Sequence, residues 1–243
     1  MRPFITIAIY FFRLHAIAQY PANWRKAPQN PIPLQYTADH YLLYHNIKSV
    51  VYSEEETKII FHFDEKGNTS ALNTGYDNIL YNYDSNGYLK LIKNNYTTAH
   101  YKTNELGYII EENYGDGSGS EYRYNDKGLF SEKIDLKTGI STEKYSYDDQ
   151  NRLLIMVLFN TDGSMMQRNT YAYQDQITYI QVTENIVSAS GKHTKNNYFY
   201  SKRGERLSSD HKNDIITYDA KSNATSHYKS SNQLKATFDI IYY

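Results

Sequence analysis

Between Phe61 and Tyr200 the chain keeps returning to an aromatic residue, a second residue and another aromatic residue. The triplets are Phe61-His62-Phe63, Tyr81-Asn82-Tyr83, Tyr122-Arg123-Tyr124, Tyr145-Ser146-Tyr147, Tyr171-Ala172-Tyr173 and Tyr198-Phe199-Tyr200, with Tyr101-Lys102-Thr103 as a degenerate copy. Successive side chains of a strand point to opposite faces, so each triplet predicts a strand with one aromatic face. The middle residues are polar at His62, Asn82, Lys102, Arg123 and Ser146, and the opposite face is therefore expected to be largely wet. A second apolar pair follows each triplet, as at Leu89 and Leu91 or Ile109 and Ile110, and predicts a return strand.

Fixed punctuation separates the two strands. Asp64, Asp84, Asn104, Asn125, Asp148 and Ser201 each stand three residues before Gly67, Gly87, Gly107, Gly128, Asn151 and Gly204. A type I turn favours Asp, Asn or Ser at its first position, and a glycine in the left-handed region at the fourth completes a three-residue hairpin loop. Asn151 is the best non-glycine residue for that place. Gln174 and Ile177 break the pattern, and a β-branched residue tolerates the left-handed region badly, so a different turn is expected there. The units begin at Phe61, Tyr81, Tyr101, Tyr122, Tyr145, Tyr171 and Tyr198, with echoes at Ile216 and Ala236, a spacing of 18 to 27 residues. A period of this length marks a repeat architecture. The reading is an all-β chain of tandem antiparallel β-hairpin repeats, about 16 to 18 strands forming a curved, coiling sheet over residues 47–243. Polar connections absorb the drift in spacing, and one of them, Gly115 to Glu121, is expected to be a flexible loop.

The motif Tyr-x-Tyr-Asp-x-x-Gly-x-Leu at this spacing resembles the YD repeat of RHS-type proteins. The stretch IKSVVYSEEETKIIFHFDEKGN, Ile47 to Asn68, is similar to the openings of secreted YD-repeat proteins of the Bacteroidota. In large members of that family the repeats wind into a hollow shell around a toxic carboxy-terminal domain. This chain has far fewer repeats and nothing after Tyr243, so it is not expected to enclose a folded cargo. The resemblance implies an architecture and an envelope or extracellular setting, and it transfers no catalytic residue.

The first residues change the picture of where the chain works. Arg2, an apolar run from Phe4 to Phe12, and Ala16-Ile17-Ala18 before Gln19 have the layout of a secretory signal peptide over residues 1–18. Arg13 ends the run well short of the roughly 20 residues a spanning helix needs. Residues 19–46 hold four of the five prolines and the single tryptophan, Trp24, and are expected to be a proline-rich leader. A strap laid across the first hairpin, anchored by Trp24, is the other reading. The location expected is secreted or periplasmic, with no cysteine to carry a lipid.

Composition then excludes several kinds of chemistry. Cysteine is absent, so disulfides, thiolate metal sites and thiol nucleophiles are ruled out. The 26 basic and 27 acidic residues are interleaved and form no basic stripe for nucleic acid. Gly115, Gly117 and Gly119 form a GxGxG, but no helix-forming run follows to aim amides at a phosphate. His40 and His45 lie five apart, which suits neither a helical nor a strand face, so no metal site and no cofactor is expected. Glu111-Glu112 and Asp148-Asp149 are sequence neighbours that face opposite ways in a strand and cannot flank one bond.

No catalytic constellation emerges, and the chain reads as a non-enzyme. Most of its 27 tyrosines are expected to be structural. Tyr81, Tyr83, Tyr122, Tyr124, Tyr145 and Tyr147 are the candidates for stacking on a ligand, because a tyrosine offers a flat apolar ring with a hydroxyl at low entropic cost. The function expected is a scaffold that binds an unidentified protein or an envelope polysaccharide through its aromatic face, with no membrane insertion of the mature chain. An outer-membrane β-barrel is the alternative, set against Lys90, Lys93, Glu111, Glu112, Lys133 and Asp135 on its strands. An immunity partner of a secreted toxin is a third, which would show one tight protein ligand and no affinity for glycans.

Overall fold

The computed structural model describes residues 45–54, 56–201, 206–209, 215–221, 223–228 and 234–243, with Leu34 and Leu43. The expected signal peptide, Trp24, His40 and the turn glycine Gly204 lie outside the described residues, as does most of the leader. Among the described residues there are eighteen strands and no helix. They are β1 (Ile47–Glu54), β2 (Thr57–Phe63), β3 (Thr69–Asn73), β4 (Asn78–Tyr83), β5 (Leu89–Lys93), β6 (Thr98–Thr103), β7 (Ile109–Asn113), β8 (Gly119–Tyr124) and β9 (Phe130–Asp135). The second half adds β10 (Ser141–Tyr147), β11 (Leu153–Phe159), β12 (Met165–Asp175), β13 (Tyr179–Ser188), β14 (His193–Ser201), β15 (Arg206–Ser209), β16 (Ile215–Tyr218), β17 (Ala224–Tyr228) and β18 (Leu234–Tyr242).

Antiparallel ladders join strands that follow one another in sequence, as expected of hairpin repeats. The sheet also returns to its start. Val50 of β1 lies opposite Phe61 of β2 on one side and opposite Ile240 of β18 on the other. With β15 and β16 side by side, the strand order runs round a ring. Both aromatic residues of each triplet share one sheet face, and on every unit that face is the screened one: Tyr81, Tyr101, Tyr122 and Tyr171 are buried while Asn82, Lys102, Arg123 and Ala172 are exposed. Only the side turned into the ring can be screened along consecutive strands, so the tyrosine rows line its interior.

The turns are built as the spacing predicts. Asp84 Oδ1 accepts from Asn86 N and Tyr88 N, both at 2.9 Å, and Gly87, at φ +83°, donates its N–H to Asp84 O at 3.0 Å. Asp64, Asn104, Asn125 and Asp148 hold their loops in the same way, with Asn151 at φ 63° in the glycine's place. At the exceptional unit the loop closes instead through Gln176 N on Tyr179 O at 2.9 Å, and Ile177 points into solvent. The glycine-rich stretch after Tyr114 is shorter as a loop than expected, because β8 begins at Gly119. A Cβ on Gly119 would lie 2.0 Å from Glu112 O, so only glycine lets β7 and β8 approach.

Most units also carry a feature with no trace in the motif, which the Tyr171 unit lacks. The register slips at His62/Phe63, Asn82/Tyr83, Lys102/Thr103, Arg123/Tyr124 and Ser146/Tyr147, where the third residue after the turn glycine, or after Asn151, is the extra one on the return strand. Such a bulge bends its strand and increases the twist. Repeated at the same place in consecutive hairpins, it curves the sheet progressively, which ring closure requires. The bulge carbonyl is then captured by the next unit: Tyr83 donates to Thr69 O at 2.8 Å, Tyr124 to Ile109 O at 2.7 Å, Tyr147 to Phe130 O, and Tyr173 to Leu153 O at 2.7 Å. The second tyrosine of the triplet thus ties successive repeats together, and Thr103 interrupts the series.

Gly87 and Gly107 isolate one contribution to this stacking. Both sit at φ near +80°, but a Cβ on Gly87 meets nothing within 4 Å, whereas one on Gly107 would lie 2.6 Å from the Tyr88 ring of the previous unit. Gly87→Ala is expected to cost about 1–2 kcal/mol for the left-handed backbone alone. Gly107→Ala should cost a further 1–3 kcal/mol, about the penalty of overpacking. Equilibrium denaturation of the two variants measures the difference.

Candidate functional site

The inner wall is built from the first tyrosine of each triplet, and each of these hydroxyls needs a partner because its ring is buried. Two carboxylates on the same wall supply four of them. Glu112 of β7 stands opposite Tyr101 and accepts from Tyr101 at 2.7 Å and from Tyr122 at 2.9 Å. Glu184 of β13, only 8 % exposed, accepts from Tyr171 and Tyr198 at 2.9 Å, from Asn169 at 2.8 Å and from Asn196 at 3.0 Å. Tyr145 donates to Glu143 in the same fashion. A carboxylate away from water is costly unless its oxygens are saturated, and four charge-assisted donors saturate Glu184. These are anchoring groups, with their hydrogen-bonding capacity spent on the wall itself.

The electrostatic consequence falls on the tyrosines. Burial raises the titration of Tyr101 and Tyr122 far above the ordinary value of 10.0, and the Glu112 carboxylate beside them raises it further. Burial and Glu184 do the same to Tyr171, and burial and Glu143 to Tyr145. The hydroxyls therefore remain neutral donors through the physiological range.

The six candidate stacking residues do not form one uniform surface. Tyr81 and Tyr122, at 6 % and 5 % exposure, lie in the core of the wall. Tyr83, Tyr124 and Tyr147 are half-buried, with their hydroxyls on the bulge carbonyls of the preceding unit, and Tyr145 is half-buried beside them. The structure places all six on the inner face, against one continuous apolar cluster from β1 to β9 and a second from β11 to β14. Phe130 joins the rows, its ring 5.0 Å from Tyr145 and 6.0 Å from Tyr124. Leu34 and Leu43 also pack against the first cluster.

Glu112 and Glu184 were not singled out by motif, and only the position of Glu184 was readable, since the bulge at Ile110 is what turns Glu112 inward. In Ile180-Gln181-Val182-Thr183-Glu184-Asn185-Ile186 the acid falls on the apolar alternation. Glu111 and Glu112 part as sequence neighbours in a strand must, Glu111 going outward to Lys102 at 2.7 Å. Outside, Arg123 meets Glu121 at 2.7 Å and Glu132 at 3.2 Å, and Lys144 meets Glu132 at 3.4 Å. His62, His100 and His193 lie on separate strands, and among the described residues no group of three or more His, Asp or Glu could hold a metal ion.

No protein-family model matches the sequence, and no curated protein matches it. Among solved structures the chain is similar to a porin-like protein from Bacteroides uniformis ATCC 8492, at 11% identity and a TM-score of 0.41, covering 87% of this chain and 100% of that one. It is similar to the TcdB2-TccC3-TEV structure at 10% identity and a TM-score of 0.26, covering 74% of this chain and 14% of that one. A porin-like protein from Bacteroides vulgatus ATCC 8482 gives 9% identity and a TM-score of 0.31, over 81% of this chain and 98% of that one.

Two outcomes are expected of this wall. Since the folded protein holds its buried tyrosines protonated while the unfolded chain ionises them near pH 10, their contribution to stability is complete below pH 10 and declines as the pH rises beyond it. Absorbance at 295 nm should therefore show only the exposed tyrosines titrating near pH 10, the rest following in step with loss of circular dichroism. Glu184→Gln, which turns an amide N–H₂ toward two of the four donors, should cost about 2–4 kcal/mol in urea unfolding with the strand signal retained in buffer.

Proposed function

We propose that this chain is an exported, non-catalytic scaffold of the YD/RHS-like repeat kind, which binds a protein or an envelope glycan through its aromatic inner face. The observation that carries the reading is the concave wall of half-buried tyrosines, Tyr83, Tyr124, Tyr145 and Tyr147, repeated across successive hairpins. Ring edges in such a wall offer apolar contact at low entropic cost. A non-catalytic role agrees with the fate of the two inner carboxylates, whose oxygens serve tyrosine and asparagine donors instead of facing a substrate. Export rests on the signal-peptide layout of residues 1–18.

Ring closure is a property shared with membrane barrels and is the one observation that favours that second reading. Polarity opposes it. A barrel in lipid needs an outward apolar band about 25 Å tall, and here Lys102, Glu111, Arg123, Glu132 and Lys144 occupy the outward face in ion pairs.

Residues 19–243, immobilised and washed with envelope extract of the host, should retain one dominant protein or polysaccharide. Tyr145→Ala should reduce that retention while leaving circular dichroism unchanged. An empty column, or retention indifferent to Tyr145, would defeat the reading. Protein that stays monodisperse without detergent would dispose of the barrel.

A further inference from the structure

On the inner wall Glu112 and Glu184 each hold donors on both carboxylate oxygens, whereas Glu143 does not. Its Oε2 takes the Tyr145 hydroxyl, and its Oε1 faces Lys133 Nζ at 3.7 Å, beyond hydrogen-bond length. Lys133 lies opposite Tyr122 on β8 and opposite Glu143 on β10, so its side chain turns inward with theirs. Its Nζ stands 5.8 Å from the centre of the Tyr122 ring. An ammonium carries three donors, and among the described residues none of the three meets an acceptor. The two side chains are 31% and 28% exposed, so an unused donor and an unused acceptor stand side by side and open to the space inside the ring. A partly exposed pair at this separation adds little to stability. Its unused positions are left to water, which a ligand can displace.

The pair is neutral as a whole and therefore selects no net charge. An adjacent donor and acceptor match two neighbouring hydroxyls of a sugar ring, one oxygen accepting from the ammonium while the next hydroxyl donates to the carboxylate. Half-buried Tyr145 stands two residues from Glu143 on the same face and offers its ring to the C–H side of that sugar. A few placed polar groups in an aromatic wall are the usual make-up of a small-molecule subsite. A peptide finds less here, because extended peptides take their affinity from main-chain hydrogen bonds at a sheet edge. The inner wall is a sheet face, and the β1–β18 ladder pairs the strands at which the sheet begins and ends.

We propose that Lys133 and Glu143 form a saccharide subsite on the inner wall, which takes two neighbouring hydroxyls of a neutral pyranose while Tyr145 stacks on its ring. This rests on the scaffold reading above and names the ligand as an uncharged glycan, not a protein. The discrimination lies in the hydroxyl pair: a sugar that lacks one member leaves a charged group of the wall without the bond it would otherwise make.

Affinity electrophoresis of the 19–243 protein through native gels containing dextran, soluble starch, yeast mannan or galactomannan tests this, with polygalacturonate as the acidic comparison. At least one neutral polysaccharide should retard the protein, and prior periodate treatment, which cleaves the bond between carbons that carry adjacent hydroxyls, should abolish the retardation. Lys133→Met keeps the apolar stem over Tyr122 and should weaken binding about tenfold or more. Glu143→Gln keeps an oxygen for Tyr145 but turns a donor into the site, and should weaken binding to a similar degree. Lys133→Arg retains charge and donors and should keep most of the affinity, so the two Lys133 variants carry the comparison if Glu143→Gln disturbs circular dichroism. No retardation in any neutral gel, retardation that survives periodate, retardation by polygalacturonate alone, or equal affinity of Lys133→Met and wild type overturns the proposal. An envelope protein captured alike by wild type and Lys133→Met, without retardation by sugar, would sink this inference and leave the scaffold reading standing. An empty capture column as well would defeat both.

Discussion

Everything in this structure depends on β1 having a partner on both sides. A hairpin with one aromatic face has no second layer to bury that face, and among the described residues no helix or separate sheet supplies one. Curving the array until β18 meets β1 turns every aromatic face toward the same enclosed space. It also removes exposed edges, which would otherwise template pairing with other chains. Where neighbouring strands come closest to an edge, at β15 and β16, both are only four residues long.

The choice of tyrosine over phenylalanine follows from how the curve is made. A bulge interrupts the ladder in most hairpins, and a carbonyl at that point needs a donor that the strand itself does not provide. The hydroxyl of the next unit's tyrosine is such a donor, which converts a local defect into a bond between repeats. The first tyrosine of each pair creates the converse need, an acceptor within the wall, which Glu112, Glu143 and Glu184 meet at Tyr101, Tyr122, Tyr145, Tyr171 and Tyr198. These polar groups in the wall are thereby matched to one another, and the second-position tyrosines Tyr83, Tyr124 and Tyr147 stay half-buried.

Local signals were legible in the sequence, and those that depend on neighbouring units were not. Alternation at Tyr81-Asn82-Tyr83 assigned the faces, and the Asp84-to-Gly87 offset assigned the turn, since each involves residues within one hairpin. The bulge at Lys90 leaves no mark, because any side chain fits there. Tyr124 could be placed on a face but not bonded to Ile109 O, since that pairing needs the register of three strands. Gly119 read as loop punctuation, although its role is close approach to Glu112. Tyr81 and Tyr122 illustrate the same limit at the candidate site: their sequence context equals that of Tyr145, and only the packing of adjacent units separates the buried from the half-buried.

Closing the ring also changes the kind of stability the repeats have. An open array of hairpins is nearly one-dimensional, each unit resting on its neighbours and fraying from the ends. The contact of Ile47 with Tyr242 spans almost the whole described chain, yet loop-closure entropy grows only logarithmically. Joining the ends costs about 2 kcal/mol more than closing one hairpin unit. Against that, the β1–β18 ladder buries Val50, Tyr52 and Phe238, and each fully buried side chain of this size contributes about 1.5–3 kcal/mol. Closure therefore wins once the bulges have curved the sheet far enough for the ends to meet. It couples the terminal units, and the cost of losing any one bulge tie is then felt around the entire ring instead of at one hairpin.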